Sequence, residues 1–233
     1  MNKQVKSKER VSEHGEVFTA EREVNAMLDM VKQETERVDS RFLEPACGDG
    51  NFMAEILRRK LSAAKRRATP PRQKKPEPFE YEKQSIVSIA SIYGGDLLQD
   101  NVEAARNRLY DIWNTEYESV CSSNVNEQCR SVVRFILSRN IVCGNALSLM
   151  CVDENQNDTK EPIIFSEWTL PFNDSRIQRR DYTFAELLYT STVTEMSKET
   201  GQISLFENDE GEVEPIFLKQ YIFDYRRVQD YDK

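Results

Sequence analysis

Chemistry in this chain concentrates in one run, Glu44-Pro45-Ala46-Cys47-Gly48-Asp49-Gly50-Asn51. Its glycines let a backbone turn tightly and approach a ligand where a Cβ would intrude. Amide N–H groups at the start of a following helix can then hold a carboxylate or a phosphate. Gly94-Gly95-Asp96 closes a second apolar run. An acid at that place can accept from both hydroxyls of a ribose, or cap the helix that follows. Gly144-Asn145-Ala146 closes a third, where an amide side chain can pair with an adenine edge or form a turn. Taken alone, Gly48-x-Gly50 is an ordinary strand-to-helix turn. Three such ends meeting in one crevice would be a ligand site of the kind open α/β sheets build.

The elements that must position these residues are legible as periodicities. Val24, Met27, Leu28 and Val31 fall at helical spacing, with Thr19 as expected N-cap and Glu21 and Glu23 in the first turn. Phe42-Leu43 is a short strand, and Met53, Ile56, Leu57 and Leu61 mark the helix after the glycine turn. Residues 58–75 hold nine Lys and Arg and no acid, and Pro70, Pro71, Pro76 and Pro78 interrupt them, so a basic loop is expected over 62–84. Residues 85–96, SIVSIASIYGGD, are apolar on both faces and read as a buried parallel strand. A helix bearing Val102, Ala105, Leu109, Ile112 and Trp113 follows, then one over about 125–139, then the strand Ile141-Val142-Cys143. This alternation predicts an α/β fold with a parallel sheet. Further on, DENQNDTK reads as the turn of a β-hairpin, and the aromatic end, PIFLKQYIFDYRRVQDYDK, as a docked strand.

Composition narrows the classes. The chain has 233 residues, 31% of them charged, and a mean hydropathy of -0.67. Nothing approaches the roughly 20 apolar residues of a membrane-spanning helix, and no apolar stretch backs the charges of the N-terminus, so a cytoplasmic protein without a membrane partner is expected. The net charge of -8 is unevenly spread: residues 1–75 carry 17 basic and 12 acidic side chains, residues 76–233 carry 15 and 28. Only the first part suits phosphate. Five scattered cysteines without a C-x-x-C pair, and a single histidine, His14, give no familiar zinc spacing and no Ser-His or Cys-His scheme. No metal is expected.

With these segments in place, the chain from about His14 to Leu149 resembles class I S-adenosylmethionine-dependent DNA methyltransferases of the adenine-N6 type, from restriction–modification systems. HGEVFTAEREVNAMLDMV is similar to the motif preceding their fold, with Thr19-Ala20 where Thr-Pro is usual. FLEPACGDGNF resembles their cofactor loop, IYGGDLLQDNVEAARNRL their ribose-binding strand and helix, and IVCGNAL their adenine-edge segment. The resemblance implies a Rossmann-like methyltransferase core, complete or incomplete, with an N-terminal helix and a β-rich C-terminal extension. By that likeness S-adenosylmethionine is held by Thr19, Glu44, Pro45, Ala46, Gly48, Gly50, Asp96, Leu97, Asn145 and Ala146. Asp96 would take the ribose and Asn145 the adenine. The expected division is a frayed terminus over 1–12, the core over 13–150, and an extension over 151–233 with a flexible acidic segment at 195–214.

One part of the family pattern is missing. Those enzymes grip the flipped adenine with an Asp/Asn-Pro-Pro-Tyr/Phe segment, and no such tetrapeptide occurs here. The nearest string, Thr169-Leu170-Pro171-Phe172, reads as a catalytic loop or as a hairpin edge, and no catalytic residue is assigned. The implied function is a DNA adenine-N6 methyltransferase or its cofactor-binding portion, weakly active or inactive alone, with a partner subunit supplying the motif. The alternative is a non-catalytic cofactor-binding or structural subunit of a DNA-processing system. DNA contact through Arg58–Lys75 stands against a solvated face. Gln202-Ile203-Ser204-Leu205-Phe206 resembles the pentapeptide with which bacterial proteins engage the replication sliding clamp, and stands against a loop staple.

Overall fold

The computed structural model describes residues 19–171, 174–188 and 219–231. The frayed segment 1–12, His14, Phe172, the acidic segment 195–214 and Gln202–Phe206 therefore lie outside the described residues.

The chain is mixed α/β. Helix α1 (Glu21–Met30) and a single turn, α2 (Lys32–Thr35), lead to strand β1 (Phe42–Glu44). Ala20, not Thr19, stands at the N-cap of α1 and makes no side-chain cap bond. The Thr19 carbonyl instead accepts from Asn51 Nδ2 at 2.5 Å, which fixes the start of α1 against the next long helix. That helix, α3 (Asn51–Arg67), carries Met53, Leu57, Leu61 and Ala64 inward. It runs further than expected, and α4 (Pro78–Ala90) begins earlier, so the loop expected over 62–84 shrinks to 68–77. Pro78 occupies the first position of α4, where a missing N–H costs nothing, so it starts a helix rather than breaking one.

The expected strand over 85–96 is corrected in the same region. Only β2 (Ile92–Asp96) is strand; residues 85–90 are the last part of α4. Ser85, Ile86, Ser88, Ile89 and Ala90 of that helix are buried, so its last part is covered nearly all round and free of charge, as a buried strand would also be. Helix α5 (Gln99–Cys121), helix α6 (Glu127–Asn140) and strand β3 (Ile141–Cys143) complete the first unit.

β1, β2 and β3 form one parallel sheet in that order, with Phe42 opposite Ile92 and Gly94 opposite Ile141. Ile92 joins the helical core, which includes the buried Trp113, whose Nε1–H donates to Ser85 Oγ at 3.0 Å. Tyr93, one residue on, joins a smaller cluster with Ile163, Phe165 and Phe184 on the other face. That cover comes from the C-terminal part: the hairpin β4 (Met150–Val152) and β5 (Asp158–Pro162), then an antiparallel sheet of β6 (Ile164–Thr169), β7 (Arg176–Thr183) and β8 (Lys219–Asp224). Both the hairpin around DENQNDTK and the C-terminal strand thus form. Trp168 is a core residue, its indole N–H on Asn140 Oδ1.

Two buried polar side chains join the layers. Lys60 of α3 is fully buried and donates to the carbonyls of Arg37, Val38 and Ser40, with its Nζ 5.2 Å from the Phe42 ring centre. Glu82 of α4 accepts from Tyr117 Oη of α5 at 2.5 Å, and from Tyr225 Oη and Arg226 Nε, both at 2.7 Å, in the 3-10 segment after β8. Among the described residues no helix is long and apolar enough to cross a membrane.

Candidate functional site

The residues singled out by sequence gather at the C-terminal ends of β1, β2 and β3. After Glu44 the chain turns through Gly48 at φ 51° and Gly50 at φ 84°, both in the left-handed region that glycine adopts without strain. Gly50 has a second reason to be glycine: a Cβ there would lie 3.2 Å from the Ala105 backbone, so α5 packs directly on the loop. Gly94 likewise admits Met53, whose Sδ would be 2.9 Å from an added Cβ.

The loop is fastened to the neighbouring strand end. Cys47 N–H donates to the Gly95 carbonyl at 2.9 Å, and Gly48 N–H donates to Asp96 Oδ2 at 2.9 Å. Asp96 Oδ1 accepts from Leu98 N–H at 2.9 Å and from Asn101 Nδ2 at 3.1 Å. The Asp96 carbonyl accepts from Gly144 N–H at 2.9 Å, which brings the third strand end alongside. So Glu44, Pro45, Ala46, Gly48, Gly50, Asp96, Leu97, Asn145 and Ala146 share one pole of the sheet, and Thr19 reaches it through Asn51.

Two of these residues are occupied. A carboxylate offers about four lone-pair positions, and three donors already hold Asp96. Asn145 forms a local turn: its Oδ1 accepts from Leu147 N–H at 3.0 Å and its Nδ2 donates to Asp158 Oδ1 at 3.0 Å. Ala146 packs against the Tyr93 cluster, while Leu97 is exposed.

Sequence reasoning missed the groups that brace this pole. Arg108 of α5 grips Asp49 with both guanidinium nitrogens, at 3.1 and 2.7 Å, and the buried Asn101 holds Asp96. Neither stands at a spacing that would single it out, since both depend on how α5 lies beside the loop. The thiol of Cys47 is pushed far up by burial and by the neighbouring Asp96 and Glu44, so it is protonated and unreactive at neutral pH. Burial also raises Glu44, against the Ala46 N–H bond that lowers it.

Two segments lie elsewhere. Arg67 lines a cavity of about 440 Å³ together with Asp39, Arg41 and Ser91, which precede β1 and β2. The end of α3 is therefore at the N-terminal edge of the sheet, about 26 Å along a 17-residue helix from Gly50. Thr169, Leu170 and Pro171 line the same cavity. As a catalytic loop, Thr169–Phe172 would have to face the cofactor pole; Thr169 instead ends β6, paired with Gln178 of β7, and Leu170 and Pro171 follow it at the opposite pole. The basic stretch from Lys65 onward is likewise remote from the crevice, while Arg58, which shares a cavity with Asn51 and Arg108, and Arg59 and Lys60 are engaged by Glu55, Asp29 and backbone carbonyls.

A cavity of about 220 Å³ runs along the outer side of β1, lined by Met27, Leu28, Val31, Leu43, Phe52 and Tyr93 among others. Met27, Val31 and Leu43 are exposed there, and Met30 nearby is 85% exposed. Among the described residues β1 pairs with β2 alone. Because Phe42 N–H donates to the Ser91 carbonyl, the N–H and C=O of Leu43 point to the open side.

Among the described residues no cluster of His, Cys, Asp and Glu could hold a metal ion. Compared with known proteins, the chain matches no family model, no curated protein and no solved structure.

Proposed function

We propose that this chain is the S-adenosylmethionine-binding half of a DNA adenine-N6 methyltransferase and acts with a second strand-bearing element. The observation that carries the reading is the sheet order. β1-β2-β3, all parallel and with a glycine turn after β1, corresponds to one arm of the doubly wound order 3-2-1-4-5-6, whose ligand crevice lies where the order reverses. The reversal requires a further strand on the outer side of β1, the side with the apolar cavity and the free Leu43 amide. That is also where the missing Asp/Asn-Pro-Pro-Tyr segment would belong. The methyl group would leave the sulfonium for the adenine amine, which loses a proton, with positioning and exclusion of water supplying the catalysis. Asp96 would take one ribose hydroxyl on its remaining lone pair, and the loop amides around Gly48 and Gly50 would face the methionine end.

A second reading is favoured by the occupancy of Asp96 and Asn145: a subunit that keeps the fold without using the cofactor. Calorimetric titration with S-adenosylmethionine separates the two. Saturable binding that is weakened at least fivefold by Asp96→Ala supports the first. Heat no greater than dilution, from a protein that melts cooperatively, supports the second and removes the first.

A further inference from the structure

We propose that the end of α3 and the loop 68–77 form a preorganised cationic surface that holds the phosphate backbone of duplex DNA, at the pole opposite the candidate cofactor crevice. Lys65, Arg66, Arg67, Arg72, Lys74 and Lys75 are all exposed. Apart from Lys65, 4.0 Å from Glu116, none of them makes an ion pair among the described residues. Glu77 is the one acid between residues 58 and 79, in a chain of net charge -8. The crevice pole, by contrast, carries Glu44, Asp96 and, bonded to Asn145, Asp158. A phosphate backbone is drawn to an exposed cationic surface with so little acid beside it in sequence.

The loop is stiff. Pro70, Pro71, Pro76 and Pro78 fix its backbone, Gln73 N–H closes a turn on the Pro70 carbonyl at 3.1 Å, and Glu77 N–H closes the whole loop on the Ala68 carbonyl at 2.8 Å. Within it Arg72 is held at φ 72°, a conformation that suits glycine or asparagine. A strained, exposed arginine held inside a proline frame points to use of its guanidinium. Ser62, Thr69 and Gln73 stand among the cations where a protein partner would want large apolar anchors. Guanidinium forks match phosphate oxygens, and phosphate contacts position a duplex without reading its sequence.

This surface is independent of the cofactor reading. The test is fluorescence anisotropy with a labelled random-sequence duplex of about 20 base pairs, with five phosphate contacts as the working number. Affinity should then fall on the order of 500-fold between 50 and 200 mM salt. Arg66→Ala/Arg72→Ala/Lys74→Ala should weaken binding at 50 mM salt and reduce that fall to roughly 12-fold. These exposed substitutions leave folding intact, checked by thermal melting. Failure of the wild type to bind at 50 mM salt overturns the proposal, as does equal binding by the triple variant. Displacement by polyglutamate as effective as by unlabelled duplex, at equal charge concentration, would assign the surface to an acidic protein instead.

Discussion

Replacing Asp96 by alanine should cost stability as well as ligand affinity, and the size of the loss follows from its three donors. Two are backbone amides that open structure, Gly48 in the glycine turn and Leu98 at the start of α5; the third is the buried Asn101 side chain. A hydrogen bond to a charged group contributes about 1.5–3 kcal/mol. The three share one carboxylate at a half-buried position, so their losses are not additive. About 3 kcal/mol in total is expected. For a chain of this length each kcal/mol moves the melting temperature by about 2–4 °C, so Asp96→Ala should melt roughly 6–12 °C below the wild type. Asp96→Asn should fall between them: it keeps an acceptor for Leu98 but turns a donor or a weaker acceptor toward Gly48. Scanning calorimetry gives the melting temperatures, and amide exchange at Gly48 and Leu98 locates the loss. An alanine variant melting within about 2 °C of wild type would refute the reasoning. It would mean that the carboxylate does not hold the loop and is free to take a ligand with both oxygens.

Other expectations concern the scaffold. Lys60→Met removes the donor to three backbone carbonyls and should lower stability by about 2–4 kcal/mol, read as a urea midpoint about 1 M lower. Gly144→Ala places a Cβ 2.5 Å from Ile163 Cδ1; Ile163→Ala should relieve it, with a coupling of about 1 kcal/mol or more in a double-mutant cycle. Burial pushes the Cys121 thiol up to about 12. A raised folded value contributes stability below the unfolded thiol range near 8.5–9 that is lost as pH climbs toward 12. The stability difference between wild type and Cys121→Ala should therefore shrink by about 1 kcal/mol from pH 9 to pH 10 in urea titrations. A constant difference would contradict the assignment.

The glycine turn was readable from sequence because its chemistry is local: Gly48 and Gly50 adopt positive φ, and few other residues do so cheaply. The three strand ends were readable for the same reason, each marked by Gly or Asn after an apolar run. The boundary inside 85–96 was not. A helix buried all round and a buried strand present the same unbroken apolar run, and periodicity does not separate them. Nor did composition say which pole a segment occupies. Nine cations over 58–75 look adjacent to the glycine turn in sequence, yet α3 carries Lys65, Arg66 and Arg67 to the far edge of the sheet, with the loop cations beyond them. The bracing by Arg108 and Asn101 was invisible because it arises from the packing of α5 rather than from any spacing.

The Glu82 cluster has a consequence for how the protein is made. Its carboxylate is buried by helices formed from residues 78–140, but two of its three donors, Tyr225 and Arg226, come more than 140 positions later in the chain. During synthesis the helical unit can assemble well before those donors leave the ribosome, at about 5–20 residues per second. For some seconds its interior holds a carboxylate with only Tyr117 to satisfy it, and an unpaired buried charge is costly. The helical core therefore stays loose around Glu82 until the last strand arrives, and final consolidation is delayed to the end of translation. Pulse-labelling hydrogen exchange on stalled nascent chains should find α4 and α5 protected late, together with β8, rather than early.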